Sequence, residues 1–250
     1  MSVGRVSLVT GASGGIGRAV VERLVETGRT VIATGRKGDA LGELEARFPG
    51  RVIPLVADLA VAGEADALYE RALGVKGQLS ELVCAAGIVH YAPVGQVSER
   101  DLRAQLELNF VAAFLLGQRV GKHLEERGAG SMVFVASTLG ARPAKLTSAY
   151  GASKAALISM AQAFALELAP RVRVNVVAPG IVDTPMVRVA RDGSQLDAAG
   201  VQAQLERLAA IHPLERLGTP DEVAQAVLFA LDASWMTGSV ITVDGGVSLA

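Results

Sequence analysis

The stretch Arg5-Val6-Ser7-Leu8-Val9-Thr10, followed at once by Gly11-Ala12-Ser13-Gly14-Gly15-Ile16-Gly17, decides the architecture. An apolar run of strand length ends in a glycine turn that leads into a helix. Glycines allow the sharp bend and the close approach of a ligand, and the amides at the helix start point at whatever lies above the turn. That is an anion site suited to a pyrophosphate, with Gly11, Ser13, Gly14, Gly15, Ile16 and Gly17 as its cradle. The spacing is Gly-x-x-x-Gly-x-Gly rather than the Gly-x-Gly-x-x-Gly of the common dinucleotide fingerprint. Such a turn also serves simply to close a strand onto a helix; its place after a first strand favours the nucleotide.

Outward from this turn, short apolar runs at 5–10, 30–35, 52–56, 81–85, 131–136, 172–177 and 239–243 read as strands. Helices are expected near 15–28, 38–47, 62–74, 98–127, 148–169 and 219–231. The alternation predicts an α/β Rossmann fold, a doubly wound seven-stranded parallel sheet with helices on both faces and ligands at the carboxyl ends of its strands. Half of the 250 residues are hydrophobic and no linker or repeat divides them, so the expectation is one domain over 1–250. A net charge of −1 gives no nucleic-acid footprint. The one cysteine, Cys84, excludes an internal disulfide and reads as a small buried hydrophobe. No apolar run reaches the length of a membrane span, and a cytoplasmic location is expected.

Chemistry enters at Ser148-Ala149-Tyr150-Gly151-Ala152-Ser153-Lys154. Tyr150 and Lys154 stand four apart, on one face of a helix. A free phenol titrates near pH ~10, and a cation about 4 Å away at an effective dielectric near 20 favours the phenolate by roughly 4 kcal/mol. The pair is expected to bring the phenol toward neutral pH, where it gives a proton to a carbonyl oxygen or takes one from an alcohol. Tyr-x-x-x-Lys alone is also common on solvated helix faces. Here Lys154 and Glu167 are the only charges between 148 and 169, and a helix this apolar all round is expected to be covered on both sides. After the second run, Arg36 and Lys37 stand where a carboxylate would bind a ribose 2′-hydroxyl, so NADP(H) is favoured over NAD(H); two exposed basic turn residues is the plainer alternative.

Together the glycine turn, Tyr150, Lys154 and the chain layout resemble the short-chain dehydrogenase/reductase family from about residue 6 to 246. The overall pattern is nearest to its 3-oxoacyl-[acyl-carrier-protein] reductase type. The resemblance implies a sheet order of 3-2-1-4-5-6-7 and hydride transfer between a nicotinamide and a carbonyl or secondary alcohol. Tyr150 would be the general acid or base, Lys154 would lower its pKa and bind the ribose, and Ser137 would hold the substrate oxygen. Asn109, in a helix kink, would hold a water linked to the lysine. Plainer readings are a strand-end turn for Ser137 and a buried amide satisfied by backbone for Asn109. Asp58 and Leu59 would flank the adenine, and Ala85, Ala86 and Gly87 would line the adenosine side. Pro179, Gly180, Ile181 and Thr184 would hold the carboxamide, and residues 185–214, with a helix over 201–210, would form the substrate loop. Residues 216–224 and the segments at 237–238 and 244–246 match mainly structural landmarks.

One departure from the family is Cys84-Ala85-Ala86-Gly87 where many members have Asn-Asn-Ala-Gly. It removes an asparagine that ties neighbouring strands, which puts local stability in question more than catalysis. No metal is required, and His90, His123 and His212 show no ligand spacing. His123 is expected on a solvated helix exterior and His212 in a structural role, while His90 lies where a substrate pocket should open. Arg142 and Lys145 read as a solvated loop or as contacts for an anionic group. The substrate is expected to be a small carbonyl or alcohol compound, with an acyl carrier protein as one option. The apolar helices over 98–127 and 148–169 imply a homo-oligomer, a tetramer or a dimer. Two other functions stay open: an NAD-dependent alcohol or polyol dehydrogenase, and a non-catalytic nucleotide-binding regulator.

Overall fold

Continuous apolar runs become strands here because helices cover both faces of the sheet. In the computed structural model, which describes residues 4–76, 78–188, 194 and 196–249, these strands are β1 (Val6–Thr10), β2 (Thr30–Gly35), β3 (Val52–Val56), β4 (Glu81–Cys84), β5 (Gly130–Val135), β6 (Val172–Pro179) and β7 (Val240–Val243). They form a parallel sheet in the order β3-β2-β1-β4-β5-β6-β7, as the family resemblance implied. Pro54 is tolerated in β3 because that strand lies at the sheet edge and pairs only with β2.

Alternate side chains feed two cores. Leu8, Ile32, Leu82, Phe134 and Val176 face one layer, with helices α3 (Glu64–Lys76), α5 (Ala112–Glu126) and α6 (Ser148–Leu168). Val9, Val31, Val83, Val133 and Val177 face the other, with α1 (Gly15–Glu26), α2 (Gly38–Arg47) and α8 (Pro220–Asp232). Within one chain α6 is not covered all round: Leu166 on its outer face is 83% exposed.

The helix expected over 98–127 is interrupted. It runs as α4 (Glu99–Leu106), then a π turn over Glu107–Val111, then α5. One extra residue in that turn swings Asn109 inward, and the interruption follows from what the side chain must reach. The helix expected over 201–210 is α7 (Ala198–Ala209), opened by Asp197, whose side chain accepts from the Gly200 N–H. Within the expected substrate loop, 189–193 and 195 lie outside the described residues.

The order reverses at β1 and β4, whose successors in the chain lie on opposite sides. The crevice at their carboxyl ends is where such sheets bind ligands.

Candidate active site

The turn after β1 is built around two close approaches. A Cβ on Gly11 would fall 2.8 Å from the Ala86 nitrogen, and one on Gly17 would fall 2.2 Å from the Gly11 carbonyl oxygen. Gly11 also holds φ at 71°, in the left-handed region. No side chain caps the start of α1 and no acidic residue lies in its first turn. Its orphan N–H groups and positive dipole end therefore face the crevice. A cavity of about 290 Å³ opens there, lined by Gly11 and residues 13–17, by Arg36 and Lys37, and by Asp58, Leu59, Ala85, Ala86, Gly87 and Thr184. Glycines that leave room for a ligand, free amides and an adjoining basic pair fit a phosphate-bearing dinucleotide.

The Thr10 hydroxyl oxygen accepts from the Ala85 and Ala86 N–H groups at 3.1 and 3.2 Å, so β1 ties down the turn after β4. Cys84 is buried, and burial pushes its thiol up to about 12, which leaves it unreactive.

Asn109 is 1% exposed and clamps the same turn from below. Its Oδ1 accepts from the Ile88 N–H at 2.8 Å, while Nδ2 donates to the Ile88 carbonyl at 2.9 Å and to Ser153 Oγ at 3.0 Å. The Ser153 hydroxyl donates in turn to the Tyr150 carbonyl. The helix is locally unwound at Asn109, and the amide is satisfied largely by backbone, as the plainer reading had it. A Cβ on Gly87 would lie 3.1 Å from Asn109 Oδ1 and 3.5 Å from Lys154 Nζ, so the turn, the amide and the ammonium are stacked together.

Ser137 and Tyr150 converge on a second cavity of about 460 Å³, whose lining also includes Pro179, Gly180 and Ile181. Ile16, Thr184 and Met186 border both cavities, so the two adjoin. Ser137 follows β5 and accepts from the Leu139 N–H. Gly180 lets the chain after β6 pass tightly over the last strand, since a Cβ there would meet Asp244 Cα at 2.8 Å.

The electrostatics differ from the sequence expectation. Burial pushes the Tyr150 phenol up to about 12, opposed by its hydrogen bond with Ser137. Lys154 Nζ lies 5.8 Å from the Tyr150 ring centroid and donates to the Val135 carbonyl at 3.0 Å. Its own burial pushes it down to about 8. Desolvation is the largest influence on each group, and it holds the phenol neutral rather than bringing it toward neutral pH.

The histidines fall differently from one another. His90 is exposed, with its N–H held by Gln105, and its neighbours Val89 and Tyr91 line the larger cavity instead. His123 is only partly solvated: it is half-buried, accepts from the Leu79 N–H at 3.2 Å and packs edge-on against Tyr69. His212 is buried, with Nδ1 against the Leu208 carbonyl at 2.7 Å, in keeping with a structural role. Tyr91, Met186, Gln204, Arg207 and Val247 also line the larger cavity and were not singled out from sequence. Met186, Gln204 and Arg207 fall within the expected substrate loop, and Tyr91 directly follows His90, whereas Val247 carried no signal.

The chain is similar to known proteins in sequence and in fold. A family model for short chain dehydrogenase matches residues 5–195. The 3-oxoacyl-[acyl-carrier-protein] reductase FabG of Thermotoga maritima is 36% identical over 98% of both chains. Cis-4-hydroxycyclohexanecarboxylate dehydrogenase of Sinomonas cyclohexanicum is 33% identical over 97% of this chain and 96% of its own. Among solved structures, aldohexose dehydrogenase of Thermoplasma acidophilum superposes with a TM-score of 0.89 at 31% identity, covering 99% of this chain and 95% of its own. On fold, site and kinship the chain belongs to the short-chain dehydrogenase/reductase family, NAD(P)-binding oxidoreductases of alcohol and ketone groups.

Proposed function

We propose that this protein is an NADPH-dependent reductase of a small ketone, with Tyr150 as proton donor. The observation that carries the reading is the meeting of Ser137 and Tyr150 at the wall of one cavity that adjoins the glycine-lined one. Gly11, residues 13–17, Asp58, Leu59 and residues 85–87 would hold a dinucleotide, whose chemistry there would be hydride transfer. Everything else is the work of the chain. Ser137 holds the substrate oxygen, and Tyr150, a neutral phenol at physiological pH, donates its proton to that oxygen as negative charge develops. Lys154 steadies the phenolate left behind, and Asn109 keeps Lys154 and the turn after β4 in position. Pro179, Gly180, Ile181 and Thr184 form the wall against which the nicotinamide ring would lie.

Arg36 and Lys37 support the phosphorylated cofactor, because both line the smaller cavity and neither is ion-paired among the described residues. A 3-oxoacyl thioester is one substrate option, as in the FabG relative. An NAD-linked alcohol or sugar dehydrogenase is the second reading, favoured by the names of the other two relatives. We read the whole chain as one NAD(P)-binding unit that is cytoplasmic and assembles through the outer faces of α5 and α6, where Leu115 and Leu166 are exposed. Light scattering that shows a monomer would refute that assembly.

The test is the initial rate of oxidation of NADPH and of NADH with a 3-oxoacyl thioester, a cyclic ketone, a keto sugar and a diketone. Turnover faster with NADPH supports the proposal. Turnover faster with NADH shifts the assignment to the dehydrogenase reading, and tight cofactor binding without any turnover would fit a non-catalytic regulator.

A further inference from the structure

We infer that the substrate carries an anionic group, a carboxylate or a phosphate, held against the wall of the larger cavity formed by Arg142, Lys145 and Arg207. The inference rests on the reading of that cavity as the place of reaction. Arg142 and Lys145 lie in the segment between the short helical turn at Thr138–Gly140 and α6, and Arg207 comes from α7, far along the chain. On α7, Gln204, Arg207 and Leu208 share the face that borders the cavity. The neighbouring Glu206 is turned to Gln202, which donates to it at 2.7 Å.

Three features single these cations out. No Asp or Glu is among the described residues lining the cavity, although the chain has 25 acidic residues against 24 Lys and Arg. None of the three is ion-paired among the described residues, a state they share with Arg36 and Lys37 at the smaller cavity, whereas Arg23, Arg29, Arg119 and Arg216 away from both cavities are paired. The rest of the lining is largely apolar, with Val89, Leu139, Ile181, Met186 and Ile211 among it. All three are exposed, on the solvent side of an apolar wall, so an anion entering with its apolar body on that wall meets their positive field at its outer end. The same field draws such a substrate in and disfavours cationic competitors.

Two sources offer this chemistry: the carboxylate of a compact oxo acid and the phosphate of a pantetheine-type thioester. Calorimetry on the full chain saturated with NADP⁺ separates them. One pair of probes is cyclohexanecarboxylate against cyclohexanecarboxamide, and the other is coenzyme A against pantetheine. The expected result is that the anion of at least one pair binds about 10-fold more tightly than its neutral partner, the order of one charge-assisted contact. The preference should shrink with salt and vanish in R142Q/K145Q/R207Q, with circular dichroism verifying that this variant folds; single substitutions, each expected to lose part of it, serve if it does not. Carboxylate preference identifies the oxo acid, and coenzyme A preference identifies the thioester. Equal binding within both pairs, or a preference that survives the substitutions, overturns the inference. A turnover arm with 4-oxocyclohexanecarboxylate and acetoacetyl coenzyme A keeps the two claims apart. No reduction of either or of the ketone panel above, together with a retained anion preference, counts against the reductase reading and leaves the anion site standing.

Discussion

Replacing Asn109 with alanine should cost more stability than any other single polar deletion at this site. The side chain is 1% exposed and makes three hydrogen bonds, two to the Ile88 backbone and one to Ser153. At roughly 1 kcal/mol net for each buried bond, the loss is about 3 kcal/mol, before the cost of leaving the Ile88 groups unpaired. In a chain of this size that corresponds to a fall in Tm of roughly 6–12 °C. The assay is urea unfolding followed by circular dichroism at fixed protein concentration, with a lower midpoint and an unchanged m-value expected. Asn109→Asp should do no better, because it keeps the acceptor for the Ile88 N–H but sets a carboxylate against the Ile88 carbonyl. Because the released turn carries Val89 and Tyr91 to the cavity, KM for the ketone should rise as well. A loss below about 1 kcal/mol in Asn109→Ala would refute the claim that this amide holds the turn in place.

Three further outcomes follow from the same geometry. Lys154 has its pKa lowered from 10.5 to about 8, so the unfolded chain binds the extra proton and stability should rise with pH across that window; Lys154→Met should remove a rise on the order of 3 kcal/mol, and parallel pH profiles of urea unfolding for the two proteins would contradict this. Gly17→Ala places a Cβ within 2.2 Å of the Gly11 carbonyl oxygen, and calorimetry should show NADPH binding lost; binding within about threefold of the original would show that the cradle yields. Thr219 and Glu222 form a capping box at the start of α8, and Thr219→Ala should lower stability by about 1 kcal/mol while leaving turnover unchanged.

Which parts were legible in the sequence depended on whether local pattern or distant packing decided them. Strands such as Val6–Thr10 and Val172–Pro179 were legible because a strand buried on both faces must be apolar throughout. The order of the sheet came from family resemblance, since no local signal says that β4 lies beside β1. The π turn at Glu107–Val111 had one mark, an asparagine inside an apolar helix, but its partner Ile88 is 21 residues away. His123 was misjudged because Lys122 and Glu125 suggested a solvated face, whereas the segment before β4 lies across it and presents the Leu79 N–H. The tie from Thr10 to the turn after β4 was overlooked because the two lie on neighbouring strands, far apart in sequence.

The Tyr150 expectation failed for an energetic reason: the attraction of one cation was counted without the cost of burying both groups. With Lys154 turned to the Val135 carbonyl, desolvation prevails. The group of Arg142, Lys145 and Arg207 was half legible, since only folding brings α7 to the segment that precedes α6.

The central claim is that Tyr150 delivers the proton to the substrate oxygen, and the most direct measurement is the single-turnover rate of NADPH oxidation in Tyr150→Phe, with cofactor affinity measured in the same preparation. The account predicts a fall of about 100-fold or more, the least expected for removal of a general acid, with NADPH bound as before. A rate within about threefold of the unmodified protein, with cofactor and ketone both bound, would contradict it.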